Sequence, residues 1–144
     1  MRARAAALVL PLLLGCVASP AGPFDEGAGV HVIVRVSPGS TAPREIRPIV
    51  TIGGTVREVV PVTVAPGAPE AVEVAIVAAP AGEQRLAVWD PVLGSGARVT
   101  VDVEGELWAL ADLASDGRPA RLRVYDEPPH EEAGAWRPLI AVPR

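Results

Sequence analysis

Alternating valines are the sequence feature that most restricts how this chain can fold. Every second residue from Val30 to Val36 is a valine, and the same period of two returns from Arg98 to Glu104. Successive side chains of a strand point to opposite faces, so this period indicates strands with one face in a core. Turn residues such as Gly and Pro separate the alternating segments at short intervals. The pattern therefore predicts an all-β fold.

Seven to eight short strands are predicted, which is typical of a single antiparallel β-sandwich, either Ig-like or transthyretin-like. We place the sandwich domain at residues 30–126 and a Pro-rich C-terminal segment at 127–144, where Leu139 to Val142 is a candidate final strand. Glu106 to Ala114 is rich in Ala and Leu, which are good helix formers. A strand is favoured there, and a helix remains the alternative.

Individual strands allow predictions of which side chains face the core. The residues expected to face inward are Val72, Val74, Ile76, Val99, Val101 and Val103, and those expected to face outward are Glu73, Thr100, Asp102 and Glu104. Gly53-Gly54 lies between two β-branched runs. Both central residues of a type I′ turn need positive φ, so this pair predicts a hairpin.

The first sixteen residues follow a different pattern. Arg2 and Arg4 precede an uncharged run rich in Leu and Ala, from Ala5 to Gly15. That order is typical of a secretory signal peptide. The run is shorter than the roughly 20 apolar residues that a membrane-spanning helix needs.

Leu13-Leu14-Gly15-Cys16 resembles the lipobox of bacterial lipoproteins, with a branched apolar residue three positions before the cysteine and a small residue directly before it. The resemblance implies cleavage between Gly15 and Cys16, which makes residues 1–15 the signal peptide. It also implies acylation of Cys16, with palmitate as the label that reports it. Ordinary signal-peptidase cleavage near residues 17–19 and an uncleaved anchor are the alternatives.

Residues 16–29 are then the lipidated cysteine and a Pro/Gly/Ala-rich tether. A flexible chain of this length has a root-mean-square reach of roughly 20 Å, which keeps the domain near its membrane. Residue 17 is valine rather than the aspartate that commonly retains lipoproteins in the inner membrane. By this resemblance the protein is expected in the cell envelope, facing the periplasm or the outside, with the outer membrane favoured.

Composition limits the partners and the chemistry. The single cysteine excludes an intrachain disulfide, and all 13 basic residues are arginine. Removing residues 1–15 leaves 11 arginines against 17 acidic residues, a net charge of −6. This charge disfavours nucleic acids and anionic membrane surfaces as partners.

No catalytic residue, metal site or cofactor is predicted. The two histidines, His31 and His130, lie far apart in the chain, and no G-x-S-x-G motif occurs. His130-Glu131-Glu132 is read as a solvated acidic tail because its three potential ligands are adjacent rather than spaced on one face. Asp116-Gly117 is read as an Asx-type turn rather than part of a calcium loop.

Trp89 and Trp108 are the candidate ligand-binding residues, because alternation places each opposite core-facing neighbours. Exposed aromatic rings serve glycan binding, whereas buried ones are core anchors. Arg121 and Arg123 share an outer face and are candidates for cross-strand charge pairs. The segment from Arg118 to Tyr125 resembles a strand of a type VI secretion lipoprotein of transthyretin-like fold, although in that family it lies near the N-terminus.

The sequence therefore favours a membrane-anchored, extracytoplasmic lipoprotein that acts as a non-catalytic binding or assembly module. Its expected partners are the membrane, through the lipid on Cys16, and an envelope protein or a glycan. A glycan-binding lipoprotein that uses exposed tryptophans is one alternative. A small envelope hydrolase, with His31 near a serine and a carboxylate, and a secretion-system accessory lipoprotein are the others.

Overall fold

The structure is a computed structural model, and it describes residues 29–59, 61–67 and 69–137. The predicted signal peptide, Cys16, the tether up to residue 28 and the candidate strand from Leu139 to Val142 lie outside the described residues. The described chain is mostly β, as the sequence predicted. Its eleven strands are β1 (Gly29–Ser37), β2 (Arg44–Ile46), β3 (Ile49–Ile52), β4 (Thr55–Val59), β5 (Val62–Val64), β6 (Ala71–Ala78), β7 (Gly82–Asp90), β8 (Ser95–Val103), β9 (Leu107–Ala114), β10 (Arg121–Tyr125) and β11 (Trp136–Arg137). One short helix, α1 (His130–Ala133), precedes β11.

The strands form three sheets. A five-stranded sheet has the order β10-β9-β1-β6-β11, a four-stranded sheet has the order β4-β3-β7-β8, and β2 pairs with β5 in a ribbon. One hydrophobic cluster takes buried residues from all three sheets, among them Val34, Val88 and Ile46. This shared cluster makes the described part a layered β-structure around one core.

The expectation of purely antiparallel pairing is wrong for the five-stranded sheet. β1 pairs with β9 in parallel, and β11 pairs with β6 in parallel. A parallel pair needs a crossover connection rather than a tight turn. The chain between β1 and β9 forms β2 to β8, which contribute to all three sheets, so a period-two pattern carries no information about this crossover.

Turn residues behave as expected at the predicted hairpin. Gly53 and Gly54 connect β3 to β4, with φ of 60° and 80°. Glu106 to Ala114 contributes β9, so the strand interpretation of this segment is confirmed and the helix alternative is wrong. The strand lies between β1 and β10, and its alanines and leucines are buried except for the half-buried Leu107, which shows tertiary packing overriding intrinsic helix propensity.

The predicted inward position of Ile76 is wrong. Ile76 is 48% exposed, while its neighbour Val77 is buried. The register of β1 against β6 shifts between Val32 and Ile33, which leaves one extra residue on β6. A β-bulge of this kind moves the following side chains to the opposite face, so the alternation read from Val72 and Val74 does not continue.

Asp90 is a fully buried carboxylate at the end of β7. It accepts hydrogen bonds from the backbone N–H of Arg47 at 2.7 Å and of Leu93 at 2.9 Å. A buried carboxylate needs such donors, and here they fix the segment before β3 and the turn after β7. We assign Asp90 to the scaffold.

Candidate functional site

The outer face of the five-stranded sheet, turned away from the shared core, brings several charged and aromatic side chains together. Strand register places three sets of side chains across β1, β9 and β10. They are His31-Trp108-Tyr125, Ile33-Leu110-Arg123 and Arg35-Asp112-Arg121. The inward residues of the same strands, such as Val34 and Ala111, belong to the shared core. This outer face is the candidate functional site.

His31 lies between two carboxylates. Its Nδ1 is 3.1 Å from Glu73 of β6, and its Nε2 is 2.5 Å from Glu106, directly before β9. The His31 and Trp108 rings are stacked, with centroids 5.1 Å apart and planes 14° apart. Glu73 is only 8% exposed, so it has little contact with water. His31 is therefore its main polar partner among the described residues.

Each glutamate lies within hydrogen-bond distance of a different ring nitrogen of His31. The two nitrogens point in different directions, and the three groups therefore do not converge on a metal position. Within residues 29–137, the described positions contain no cluster of three or more His, Cys, Asp or Glu side chains suited to hold a metal ion. His31 meets the carboxylate condition of the hydrolase alternative, but its polar side-chain contacts in this region include no serine.

The middle of the face is closed by the C-terminal segment. Ile33 and Leu110 are fully buried there and form a second apolar cluster with Ala71 and Ala133. Trp136 packs on this cluster and stacks on the His130 ring, with centroids 4.6 Å apart. His130, Glu131 and Glu132 are all exposed, which agrees with a solvated acidic segment, and the His130 ring additionally stacks on Trp136.

The far end of the face is an arginine-lined groove. Arg35 Nε donates to Asp112 Oδ1 at 2.6 Å, and Arg123 Nη2 donates to Asp112 Oδ2 at 2.9 Å. A groove of about 660 Å³ opens beside these groups, and Arg118 and Arg121 also line it. Arg35 additionally donates to the backbone carbonyl of Glu132 at 2.8 Å, which ties the groove to α1.

The two candidate tryptophans are not brought together. Trp108 is half-buried on the five-stranded sheet, whereas Trp89 lies on the four-stranded sheet and is 47% exposed. Trp89 pairs with Gly96 of β8, and a Cβ on Gly96 would lie 2.6 Å from Cε3 of the Trp89 ring. The glycine is therefore what allows the ring to lie close to the neighbouring strand.

Sequence reasoning found part of this site. It placed Arg121 and Arg123 together on an outer face, and the structure confirms this, but it did not identify Asp112 as the partner of Arg123. It also missed the contacts of His31 with Glu73 and Glu106. The available signal was a charged residue inside an otherwise apolar strand, as Asp112 is in β9. The Asx-type turn is supported, because Asp116 Oδ1 accepts from the N–H of Arg118 at 3.2 Å.

No helix among the described residues is long and apolar enough to cross a membrane. No known protein family, curated protein or solved structure matches this chain.

Proposed function

We propose that this protein is a lipid-anchored envelope lipoprotein whose β-domain, an Ig-like or transthyretin-like sandwich, is a non-catalytic binding module. The anchor is supported by the charged start, the apolar run and the Leu13-Leu14-Gly15-Cys16 order of the sequence. Each acyl chain contributes about 0.8 kcal/mol per buried CH₂, and two chains make anchoring durable. By the same resemblance, Val17 favours the outer membrane.

The observation that carries the binding role is the outer face of the five-stranded sheet. Its polar groups are held in place by specific contacts, as in Arg35–Asp112–Arg123, and they border an open groove. Ligand sites typically combine a concavity of this size with a few positioned polar groups. The neighbouring apolar cluster under α1 gives the groove a rigid support.

Trp89 supports the glycan-binding alternative. Its ring is 47% exposed on the open face of the four-stranded sheet, where a sugar ring has room to stack. Trp108 does not add to that surface, because it lies on the other sheet against His31. The arginine groove unites more positioned polar groups than the single Trp89 ring, and we therefore favour it as the ligand site.

The anchor is tested by growing cells with radioactive palmitate and comparing the wild-type protein with Cys16→Ala. We expect label in the wild type and none in the variant, with the wild type in the outer-membrane fraction of a sucrose gradient. Cys16→Ala should lose this fractionation as well, because processing and anchoring require the thiol. Equal labelling of both proteins, or of neither, would contradict the lipoprotein assignment.

A further inference from the structure

We propose that the arginine-lined groove binds a phosphomonoester group of a soluble ligand, an inference that rests on the binding role proposed above. The groove lies at the end of the five-stranded sheet where β1, β9 and β10 run side by side. Its charged lining consists of Arg35, Arg118, Arg121, Arg123 and Asp112. Its volume of about 660 Å³ is in the range of small-molecule sites.

Strand register explains why these arginines meet. Arg35 and Arg121 lie on either side of Asp112, since Asp112 is opposite Arg35 on one side and opposite Arg121 on the other. Arg123 is two residues further along β10 and therefore projects on the same face. Three guanidinium groups from two strands thus flank one carboxylate on a rigid sheet.

Asp112 acts as a positioning residue for this cluster. Its two oxygens are each used by a different arginine, Oδ1 by Arg35 and Oδ2 by Arg123. Its side chain is only 19% exposed, so the two ion pairs are partly shielded from solvent. Guanidinium groups that are already oriented lose less conformational entropy when a ligand binds.

The local charge is not balanced. Four arginines line the groove, while Asp112 and Asp116, the partner of Arg118 at 2.6 Å, supply two negative charges. The groove thus has a net charge of +2 in a chain whose overall net charge is −4. A dianion is the ligand charge that neutralises this excess.

Unused donors point to a tetrahedral oxyanion. A guanidinium has five N–H donors. Arg35 donates from Nε to Asp112 and from Nη1 to the Glu132 carbonyl, which leaves further donors of its guanidinium for a ligand. Arg121 makes no side-chain hydrogen bond or ion pair with the part of the chain that the structure describes. Donors that approach from β1 and from β10 suit a phosphate, which accepts in several directions, better than one planar carboxylate.

The source of the phosphate is inferred from the charge of the remaining surface. The net negative charge outside the groove opposes docking of the whole domain on an anionic membrane. A soluble phosphorylated small molecule does not meet this repulsion. A phospholipid headgroup shares the same chemistry and is the second source that the experiment distinguishes.

The test uses the full chain in neutral detergent, titrated by calorimetry with glucose 6-phosphate and, separately, with succinate as a dicarboxylate. The variant is Arg121→Gln combined with Arg123→Gln. The matched control is Arg85→Gln combined with Arg98→Gln, which removes two exposed arginines from the four-stranded sheet. Thermal melts verify that all proteins fold, and vesicles of phosphatidic acid against phosphatidylcholine form the lipid arm.

We expect saturable binding of glucose 6-phosphate that the groove variant weakens at least tenfold and the control changes less than twofold. Binding of phosphatidic acid vesicles without the soluble ester, lost in the same variant, supports the phosphate chemistry with a lipid source. No saturable binding of either probe, equal loss in variant and control, or succinate binding as tight as the ester overturns the proposal. Palmitate labelling is independent of these titrations, so failure of the anchor and failure of the groove are distinguishable.

Discussion

The outer faces of the two larger sheets differ in how far other parts of the chain cover them. On the four-stranded sheet, Thr100 and Asp102 of β8 point to solvent, while Val103 on the same strand is buried. On the five-stranded sheet, outward Ile33 and Leu110 are as buried as the core valines, because α1 and Trp136 cover them. One sheet is therefore half-solvated, and the other is covered on both sides over part of its area.

This difference determines how charged groups behave. Arg98 on the open face makes no hydrogen bond or ion pair through its side chain with the described residues. On the covered face, Arg35 and Asp112 form an ion pair at 2.6 Å with side-chain exposures of 23% and 19%. Exposed ion pairs contribute little to stability. In a partly buried pair, each charged side chain needs its partner and is held in place beside it. The covered face is thus where the protein holds polar groups in defined positions.

Replacing Ile33 with Asp is expected to give the largest effect, because Ile33 lies where α1 and Trp136 cover the five-stranded sheet. Ile33 is fully buried on the outward side of β1, in contact with the cluster around Leu110. An unpaired buried carboxylate costs several kcal/mol, and small domains are stable by about 5–15 kcal/mol. We expect a sharp drop in melting temperature or loss of the folded state by circular dichroism.

Thr100→Asp is the matched control for this substitution. Thr100 also points outward, but on the open sheet, where surface changes usually stay within about 0.5 kcal/mol. Its melting temperature should stay close to that of the wild type. If Ile33→Asp were as stable as Thr100→Asp, α1 would not cover the five-stranded sheet.

The same contrast explains what the sequence could predict. Alternation identified the open sheet well: Val99, Val101 and Val103 of β8 contact the shared core, and Thr100 and Asp102 are exposed. It is less informative for β1, where both Val34 and the outward Ile33 are buried. A strand covered on both sides has no polar side to mark its orientation.

The pairing of strands that are distant in the chain could not be predicted from the sequence for a related reason. The parallel contact of β1 with β9 joins distant segments, so no local pattern marks Arg35 as the partner of Asp112. The bulge on β6 depends on how β6 meets β1, and it places Glu73 beside His31. The sequence shows each charged residue of the site, but which of them become neighbours depends on the strand register.

Replacing His31 with Ala should have the second-largest effect. The change leaves Glu73, which is only 8% exposed, without the imidazole that contacts it at 3.1 Å. It also removes the stacking on Trp108. Leaving a buried charged group unsatisfied costs about 2–3 kcal/mol, which urea denaturation monitored by circular dichroism can measure.

A carboxylate on the open sheet supplies the comparison for His31. Glu83 is exposed on β7, opposite Asp102, so Glu83→Gln should change the free energy of unfolding by less than about 0.5 kcal/mol. Adding Glu73→Gln to His31→Ala should recover part of the loss, because the buried charge is then removed. No recovery in the double variant would mean that the cost arises from ring packing rather than from the unpaired carboxylate.

The smallest expected effect concerns the open sheet itself, at the glycine opposite Trp89. In Gly96→Ala, the new Cβ would lie 2.6 Å from Cε3 of the Trp89 ring and 2.8 Å from the carbonyl oxygen of Val88. Because the carbonyl belongs to the backbone, the ring and the strand must both shift, and overpacking of this kind costs about 1–2 kcal/mol.

Gly105→Ala is the control, since a Cβ there has no neighbour within 4 Å. We expect Gly96→Ala, and not Gly105→Ala, to lower the melting temperature and to shift the tryptophan emission spectrum. An unchanged spectrum and melting temperature in Gly96→Ala would show that the Trp89 ring does not lie against β8, and the open face would then lack the ordered aromatic surface that the glycan alternative requires.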